Sequence, residues 1–359
     1  MFFVKSFDHT SIITSHITCH NKLENFSLWP HNVSTMETSD SLDFVKHLCR
    51  TQPHRDNTMD DLPLQRRCPL DNGRHDCTPI STGFAASQLN KLSVEVIVEI
   101  LLLLDIPSLT RFRMLNRRAM QLVNSIHQYA VIIEHCPNII RAIVSIQADV
   151  FDCATLYRTL CTTRCSTCNR FGNYLYLIDC RRVCYICVTE RPEFFPITSR
   201  EAYRFFASRE EGQTNPRSFC DLFKLMKPPS ILSLPGAYGG GSTNMRQRRQ
   251  RLYDRQAAAQ IMAVRVRPRS DKRSKEAKRF MAVITAPVLL NGGQQVDYGF
   301  FCRGCWDERD KETMHYKIKF TTEELSEHIA RYGRIVERGS GYHDRFVHVK
   351  SALYKGPVS

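Results

Sequence analysis

The stretch RCSTCNRFGNYLYLIDCRRVCYIC, residues 164–187, carries five of the chain's 15 cysteines. What thiols at this density can do depends first on compartment. The chain opens MFFVKSFDHTSIITSH, where Asp8 and His9 interrupt any apolar run and no small-residue cleavage pattern follows. The longest apolar block, VIVEILLLL, includes Glu99 and is too short to span a bilayer. The expectation is a soluble intracellular protein of nucleus or cytoplasm, with no membrane partner. Thiols stay reduced there, so clustered cysteine pairs point to metal binding or catalysis rather than to a disulfide framework.

Spacing selects metal. Cys165 and Cys168 form one C-x-x-C, Cys184 and Cys187 a second, and fifteen residues lie between the pairs. That separation falls within the range of structural zinc sites. Each pair makes a tight turn that aims two sulfurs at one point, and four thiolates complete a tetrahedron around zinc. Between them Gly172 and Asn173 supply a turn and YLYLI reads as a strand. Arg164, Arg170, Arg181 and Arg182 surround the site and favour thiolate over thiol. Cys180 falls outside the paired spacing, as a buried free thiol or an alternate ligand. A thioredoxin-type site needs one C-x-x-C on a strand-to-helix turn, and two pairs at metal spacing argue against chance clustering. Four cysteines leave no position for water, so this zinc is structural.

A second constellation lies downstream in YGFFCRGCW. Cys302 and Cys305 form a third C-x-x-C, and His328 follows on TTEELSEHIARYG. That segment reads as a helix with a capping box (Thr321 with Glu324), one apolar face through Leu325 and Ile329, and Gly333 as its stop. The fourth ligand of a second zinc is open. Tyr332 stands where a finger would carry His or Cys, and His315 or His343 could substitute. A degenerate site with a surface histidine is the competing reading.

With 359 residues, 42% hydrophobic and 24% charged, most of the chain should be globular. Residues 1–85 lack periodic apolar positions and are expected to be mostly disordered, with Cys68 and Cys77 incidental. Order is expected to begin at LNKLSVEVIVEILLLLDIPSLTRFRMLNRRAMQLVNSI. Ser93 is an N-cap, and Val96, Ile97, Ile100, Leu101 and Leu104 recur at helical spacing. Asp105–Pro107 breaks the helix, Ser108 caps a second, and Met120, Leu122 and Val123 continue a third. Three short helices bury too little surface to stand alone, so this unit wants a partner.

These residues resemble the F-box. The matching pattern is Leu92-Ser93-Val94-Glu95-Val96-Ile97, then Ile100-Leu101, Leu104, Leu109, Leu115 and Arg117. Ser93 stands where the family has proline, and Ala119 where it has a large aromatic. The order of F-box, helices, C-x-x-C ribbon, basic segment and late C-x-x-C is similar to that of a family of fungal F-box proteins across most of residues 90–330. The resemblance implies docking on the Skp-type adaptor of a cullin–RING ubiquitin ligase, with an unknown protein substrate facing the zinc-bearing half. The implied adaptor-binding residues are Leu92, Ile97, Ile100, Leu101, Leu104 and Leu109. Periodicity does not separate those that face the adaptor from those that face helices at 125–146. The alternative is a zinc-ribbon nucleic-acid- or protein-binding protein with a vestigial F-box.

Net charge is +14, and residues 246–279 supply most of it, with 13 Lys or Arg against three acids. MRQRRQRLYDRQAAAQIMAVR reads as helical, RPRSDKRSKEAKR as a loop, and the preceding LPGAYGGGS as a flexible hinge. Three readings compete: a solvated surface arm, a nuclear-import signal, and phosphate contact with nucleic acid. RPEFFPITSREAYRFFAS has a capping box, Thr198 with Glu201, before an apolar helix expected to cover the zinc ribbon, or alternatively to line a substrate groove. FMAVITAPVLL, YGFF and RFVHVKSALY read as strands.

The expected fold is mainly α over the F-box (86–130) and the helices that follow, with a four-cysteine zinc ribbon within 131–210. A hinge and basic segment (211–279) and a small zinc-stabilised α+β unit (280–350) come after. There is no P-loop and no G-x-S-x-G, and six cysteines in three separated pairs do not make the interleaved eight-ligand order of a RING. A non-catalytic binding subunit is expected.

Overall fold

The computed structural model describes residues 49–50, 57–68, 70, 92–206, 216–239, 245–262, 277–308, 314–340 and 343–349. The chain divides into residues 1–38 and 39–359, and every described residue belongs to the second unit. The expectation of disorder over most of 1–85 lies largely outside the described residues. Within that stretch, residues 49–50, 57–68 and 70 carry short ordered elements. Strand β1 (Cys49–Arg50) pairs with a strand near the C-terminus, and helix α1 (Leu64–Arg67) buries Leu64 while Met59 is fully buried beside it. These short apolar contacts carry no periodic signal, because each anchors a single turn.

The helical layer follows the sequence pattern. Helices α2 (Val94–Leu102), α3 (Ile106–Arg113) and α4 (Arg117–Asn124) are separated by capped breaks. Ser93 takes the N-cap position of α2 without a capping bond from its side chain. The cap of α3 is Asp105, not Ser108: its carboxylate accepts the Ser108 N–H at 2.8 Å, and Pro107 sits in the first turn where its missing N–H costs nothing. Asn116 caps α4 by accepting the Ala119 N–H at 2.8 Å. Ala119 itself is buried.

Helices α5 (His127–His135) and α6 (Pro137–Ile146) meet at an angle of 101°, with Pro137 opening α6. Neither is long and apolar enough to cross a membrane, and the same holds for every single helix among the described residues. Ile139, Ile140, Ile143 and Ile146 are buried on α6, each contributing about 2 kcal/mol of transfer free energy. Helix α7 (Cys153–Leu160), capped by Asp152, then delivers the chain to the cysteine-rich segment.

There β2 (Tyr174–Tyr176) and β3 (Arg181–Val183) form a hairpin, and α8 (Tyr185–Glu190) follows. The aromatic helix α9 (Ser199–Phe206) has its expected capping box, with the Thr198 N–H donating to Glu201 at 2.9 Å. It does not cover the ribbon. With α10 (Pro216–Leu225) and α11 (Arg255–Ile261) it makes a separate core from Phe195, Ile197, Phe206, Phe219, Phe223 and Tyr253. Aromatic rings of α9 and α10 satisfy one another edge-on, Tyr203 against Phe219 at 5.4 Å, more fully than a small ribbon could.

The supposed hinge and basic arm are also corrected where described. Strands β4 (Ser230–Leu232), β5 (Gly236–Ala237), β6 (Met245–Arg246) and β7 (Arg251–Tyr253) form two small pairs, β4 with β7 and β5 with β6. Tyr238 is fully buried within LPGAY. Arg255, Lys278 and Arg279 are buried: Lys278 pairs with Glu201, and Arg279 donates to the carbonyls of Val188 (2.8 Å) and Arg191 (2.7 Å). Residues 263–276 lie outside the described residues.

Helix α12 (Ala277–Met281) leads into β8 (Val283–Thr285), which pairs with β2 and completes a three-stranded sheet in the order β3-β2-β8. Strands β9 (Val288–Leu290) and β10 (Gln295–Asp297) make a hairpin, and β11 (Phe300–Cys302) runs into α13 (Arg303–Glu308). β11 lies between β1 and β12 (Lys319–Phe320). Helix α14 (Thr322–Tyr332) and the hairpin β13 (Ile335–Ser340)–β14 (His343–His348) close the described chain. The fold is thus a helical layer followed by small sheets, with a cysteine cluster and a cysteine–histidine cluster that could each hold a metal ion.

Candidate metal centres

Two C-x-x-C turns converge at the first cluster. The ligand atoms of Cys165, Cys168, Cys184 and Cys187 all lie within 4.8 Å of one another, and Cys168 Sγ is 3.5 Å from Cys184 Sγ. A tetrahedron with metal–sulfur bonds of about 2.3 Å has edges of about 3.8 Å, so the spacing is right for one ion. The first turn is held by the Cys165 N–H donating to the Arg170 carbonyl at 2.7 Å, and its sulfur receives the N–H groups of Thr167 and Cys168. The second opens α8: Cys184 is the N-cap and its sulfur accepts the Cys187 N–H at 3.5 Å. Cys165, Cys184 and Cys187 are buried and Cys168 half-buried. Hydrogen bonds from Cys184 and Cys187 hold the Cys165 thiol far below its ordinary value, and the same contact with Cys165 pushes Cys184 up to about 12. The cluster thus shares protons that a bound cation would displace.

Of the four arginines around this site, three are engaged elsewhere. Arg164 pairs with Glu324, and Arg181 pairs with Asp179 at 2.6 Å and Asp254 at 3.5 Å. Arg182 is fully buried and spends its guanidinium on five main-chain carbonyls, while its own carbonyl accepts the Ser166 N–H of the first turn at 2.9 Å. It braces the ribbon instead of polarising its sulfurs. Cys180 is a buried free thiol directed at Thr159 Oγ1 at 3.6 Å, outside the cluster.

The second cluster is complete. Cys302 ends β11, Cys305 sits on α13, His328 on α14 and His348 at the end of β14. Cys302 Sγ–His348 Nε2 is 3.3 Å, Cys305 Sγ–His328 Nε2 3.2 Å, Cys305 Sγ–His348 Nε2 3.4 Å and His328 Nε2–His348 Nε2 3.3 Å. An S₂N₂ tetrahedron has S–N edges of about 3.6 Å and an N–N edge of about 3.3 Å. All four residues are buried. His348 Nδ1 lies 2.7 Å from the Gly333 carbonyl, which fixes the proton on Nδ1 and leaves the Nε2 lone pair facing the cluster. At Gly304, between the two cysteines, a Cβ would lie 3.0 Å from the His348 ring, so a side chain there would push the ring out of place by a few tenths of an ångström. Cys302 is held down to about 3, first by Cys305 and then, against burial, by the two histidines.

The fourth ligand is therefore neither His315 nor His343. The His315 ring packs against His328 and Tyr332, with centroids 5.5 and 4.9 Å away, and His343 pairs with Ser340 at the opposite end of the hairpin from His348. His348 carries little local signal. It is one histidine in the strand-like RFVHVK, and only the return of the β13–β14 hairpin brings it to Cys302, 46 residues earlier in the chain. Each cluster offers four protein ligands, and an ion held by all four would have no open coordination position.

The residues implied as adaptor anchors divide. Ile97, Leu101 and Leu109 are buried in the chain's own core and Leu104 packs against it, whereas Leu92 and Ile100 are exposed. Exposed apolar residues outside that implied set join them: Val94, Val96, Leu103 (76% exposed), Met114 (69%) and Leu115 (70%). Along α2 and its C-cap the spacing of Val96, Ile100 and Leu103 puts these three on one face, and exposed Leu92 lies just before the helix.

No family model matches the chain, and no curated protein or solved structure matches it either.

Proposed function

We propose that this chain is a non-catalytic F-box receptor subunit of a cullin–RING ubiquitin ligase, built on two structural zinc ions. The observation that carries the reading is the divided face of α2. Ile97 and Leu101 anchor the helix to the body, while Val96, Ile100 and Leu103 form an apolar stripe open to solvent, with exposed Leu92 just before it. A stripe of this kind is what an adaptor helix would cover, and it lies within the residues that resemble the F-box. Zinc is supported by the donor sets, four thiolates at one site and two thiolates with two imidazoles at the other, which suit zinc in closed tetrahedral geometry. The ribbon and the C-terminal unit then form the half that presents substrate to the ligase.

The test is capture of a purified Skp-type adaptor by the full chain. Ile100→Asp with Leu103→Asp should abolish it, because apolar anchors concentrate interface energy. Both sites are exposed, so the melting temperature and metal content should not change. Wild-type protein that shows no adaptor binding at micromolar concentration would overturn the proposal.

A further inference from the structure

A group of arginines assembles from two distant parts of the sequence along two small strand pairs, β4 with β7 and β5 with β6. Arg67, on α1, donates to the Pro235 carbonyl at 3.2 Å. Arg246 pairs in register with Gly236, Arg249 donates to the Ser233 carbonyl at 3.3 Å, and Arg251 donates to Ser230 Oγ at 3.2 Å. Arg66 is adjacent to Arg67, and Arg248 lies between Arg246 and Arg249. Four arginines thus lie along residues 230–236, which run from β4 into β5, and Arg66 and Arg248 neighbour them in the sequence. Arg66, Arg67, Arg248, Arg249 and Arg251 are exposed, and none of these five takes part in an ion pair among the described residues. The bonds that Arg67, Arg249 and Arg251 make go to carbonyl and hydroxyl oxygens, which orient a guanidinium without neutralising it.

We infer that this group binds the phosphate backbone of a nucleic-acid duplex, independently of sequence. Three features point to phosphate. The charge is carried entirely by arginine, whose planar fork matches phosphate bidentately. No carboxylate among the described residues neutralises the five exposed guanidinium groups. The neighbouring aromatic, Tyr238, is fully buried, so it offers no ring for an unpaired base to stack on. Backbone contact alone reads charge and spacing, not base identity.

Fluorescence anisotropy of the full, zinc-loaded chain with a labelled DNA duplex of about 20 base pairs tests this. With about four phosphates neutralised, log K should fall against log salt with a slope of about −3.6, a loss of about 150-fold between about 50 and 200 mM salt. Replacing Arg66, Arg67, Arg248 and Arg251 with Gln should remove most of that affinity and flatten the slope. The smaller pair Arg66→Gln with Arg248→Gln touches only side chains that make no hydrogen bond or ion pair among the described residues, and should reduce the slope by about 1.8. A control in which the basic residues between Arg265 and Lys275 become Gln should bind better than the four-residue variant. Two results would overturn the inference. One is wild-type binding by the four-residue variant. The other is polyglutamate competing as well as unlabelled duplex at equal charge, which would make the partner an acidic protein surface. Neither result bears on adaptor capture, which is read by a separate assay on separate residues.

Discussion

Arg182 braces the ribbon against neighbouring segments, and replacing it should cost about as much as truncating a large core side chain. Its Nε donates to the Thr159 carbonyl at 3.0 Å. Nη1 donates to Gly172 (2.6 Å) and Ala286 (3.0 Å), and Nη2 to Leu160 (3.2 Å) and Pro287 (2.6 Å). All five N–H donors are used, and the acceptors come from the end of α7, the first C-x-x-C turn and the link between β8 and β9. Burial pulls its pKa down to about 10, still far above neutrality, so the group is a cation in the fold. Five bonds from a charged donor at about 1.5 kcal/mol each are offset by about 3 kcal/mol of desolvation, the equivalent of that pKa displacement. Arg182→Met should therefore destabilise by about 4 kcal/mol, which at a urea slope of about 3 kcal/mol/M lowers the midpoint by about 1.3 M. Circular dichroism of the zinc-loaded protein in urea measures this. Arg182→Lys keeps the charge but has three donors on one nitrogen, so it should lose at least half as much. A Met variant within about 1 kcal/mol of wild type, or a Lys variant equal to it, would refute the account of the fork as a brace.

The two metal centres should separate cleanly: Cys184→Ser and His348→Ala should each reduce zinc from two per chain to one, measured by plasma mass spectrometry after exhaustive dialysis. Lys319 is buried, donates to the Tyr298 carbonyl at 2.6 Å, and is lowered to about 8 from 10.5 chiefly by burial. A cation whose folded pKa is depressed destabilises fully below about pH 8, and that cost disappears as pH rises to 10.5. Lys319→Met should thus be stabilising by about 1–3 kcal/mol at about pH 7 and lose that advantage above about pH 10; equal stabilisation at both pH values would count against it. At Gly172 a Cβ would lie 2.5 Å from Arg182 Cγ, so Gly172→Ala should lower stability by about 2 kcal/mol and speed zinc loss to a chelator.

The features legible in the sequence are those set by short-range geometry. The C-x-x-C pairs at 165–187, the breaks between α2, α3 and α4, and the capping boxes at Thr198 and Thr321 involve groups a few residues apart, so spacing alone specifies them. The remaining features depend on which distant segments meet. His348 reaches the second cluster because a hairpin folds back on α13 and α14, and β8 joins the ribbon's sheet about a hundred residues after β2. Composition gave a solvated arm as one of three readings of residues 246–279, yet Arg255, Lys278 and Arg279 are interior. The carbonyls of Val188 and Arg191 and the carboxylate of Glu201, from remote parts of the chain, meet the charges of Arg279 and Lys278 there. Periodicity showed that α2 has apolar residues on more than one side. Only packing against α4 decided that Ile97 and Leu101 face inward and that Ile100 and Leu103 stay in solvent, because burial is a property of what lies opposite a side chain, not of the side chain itself.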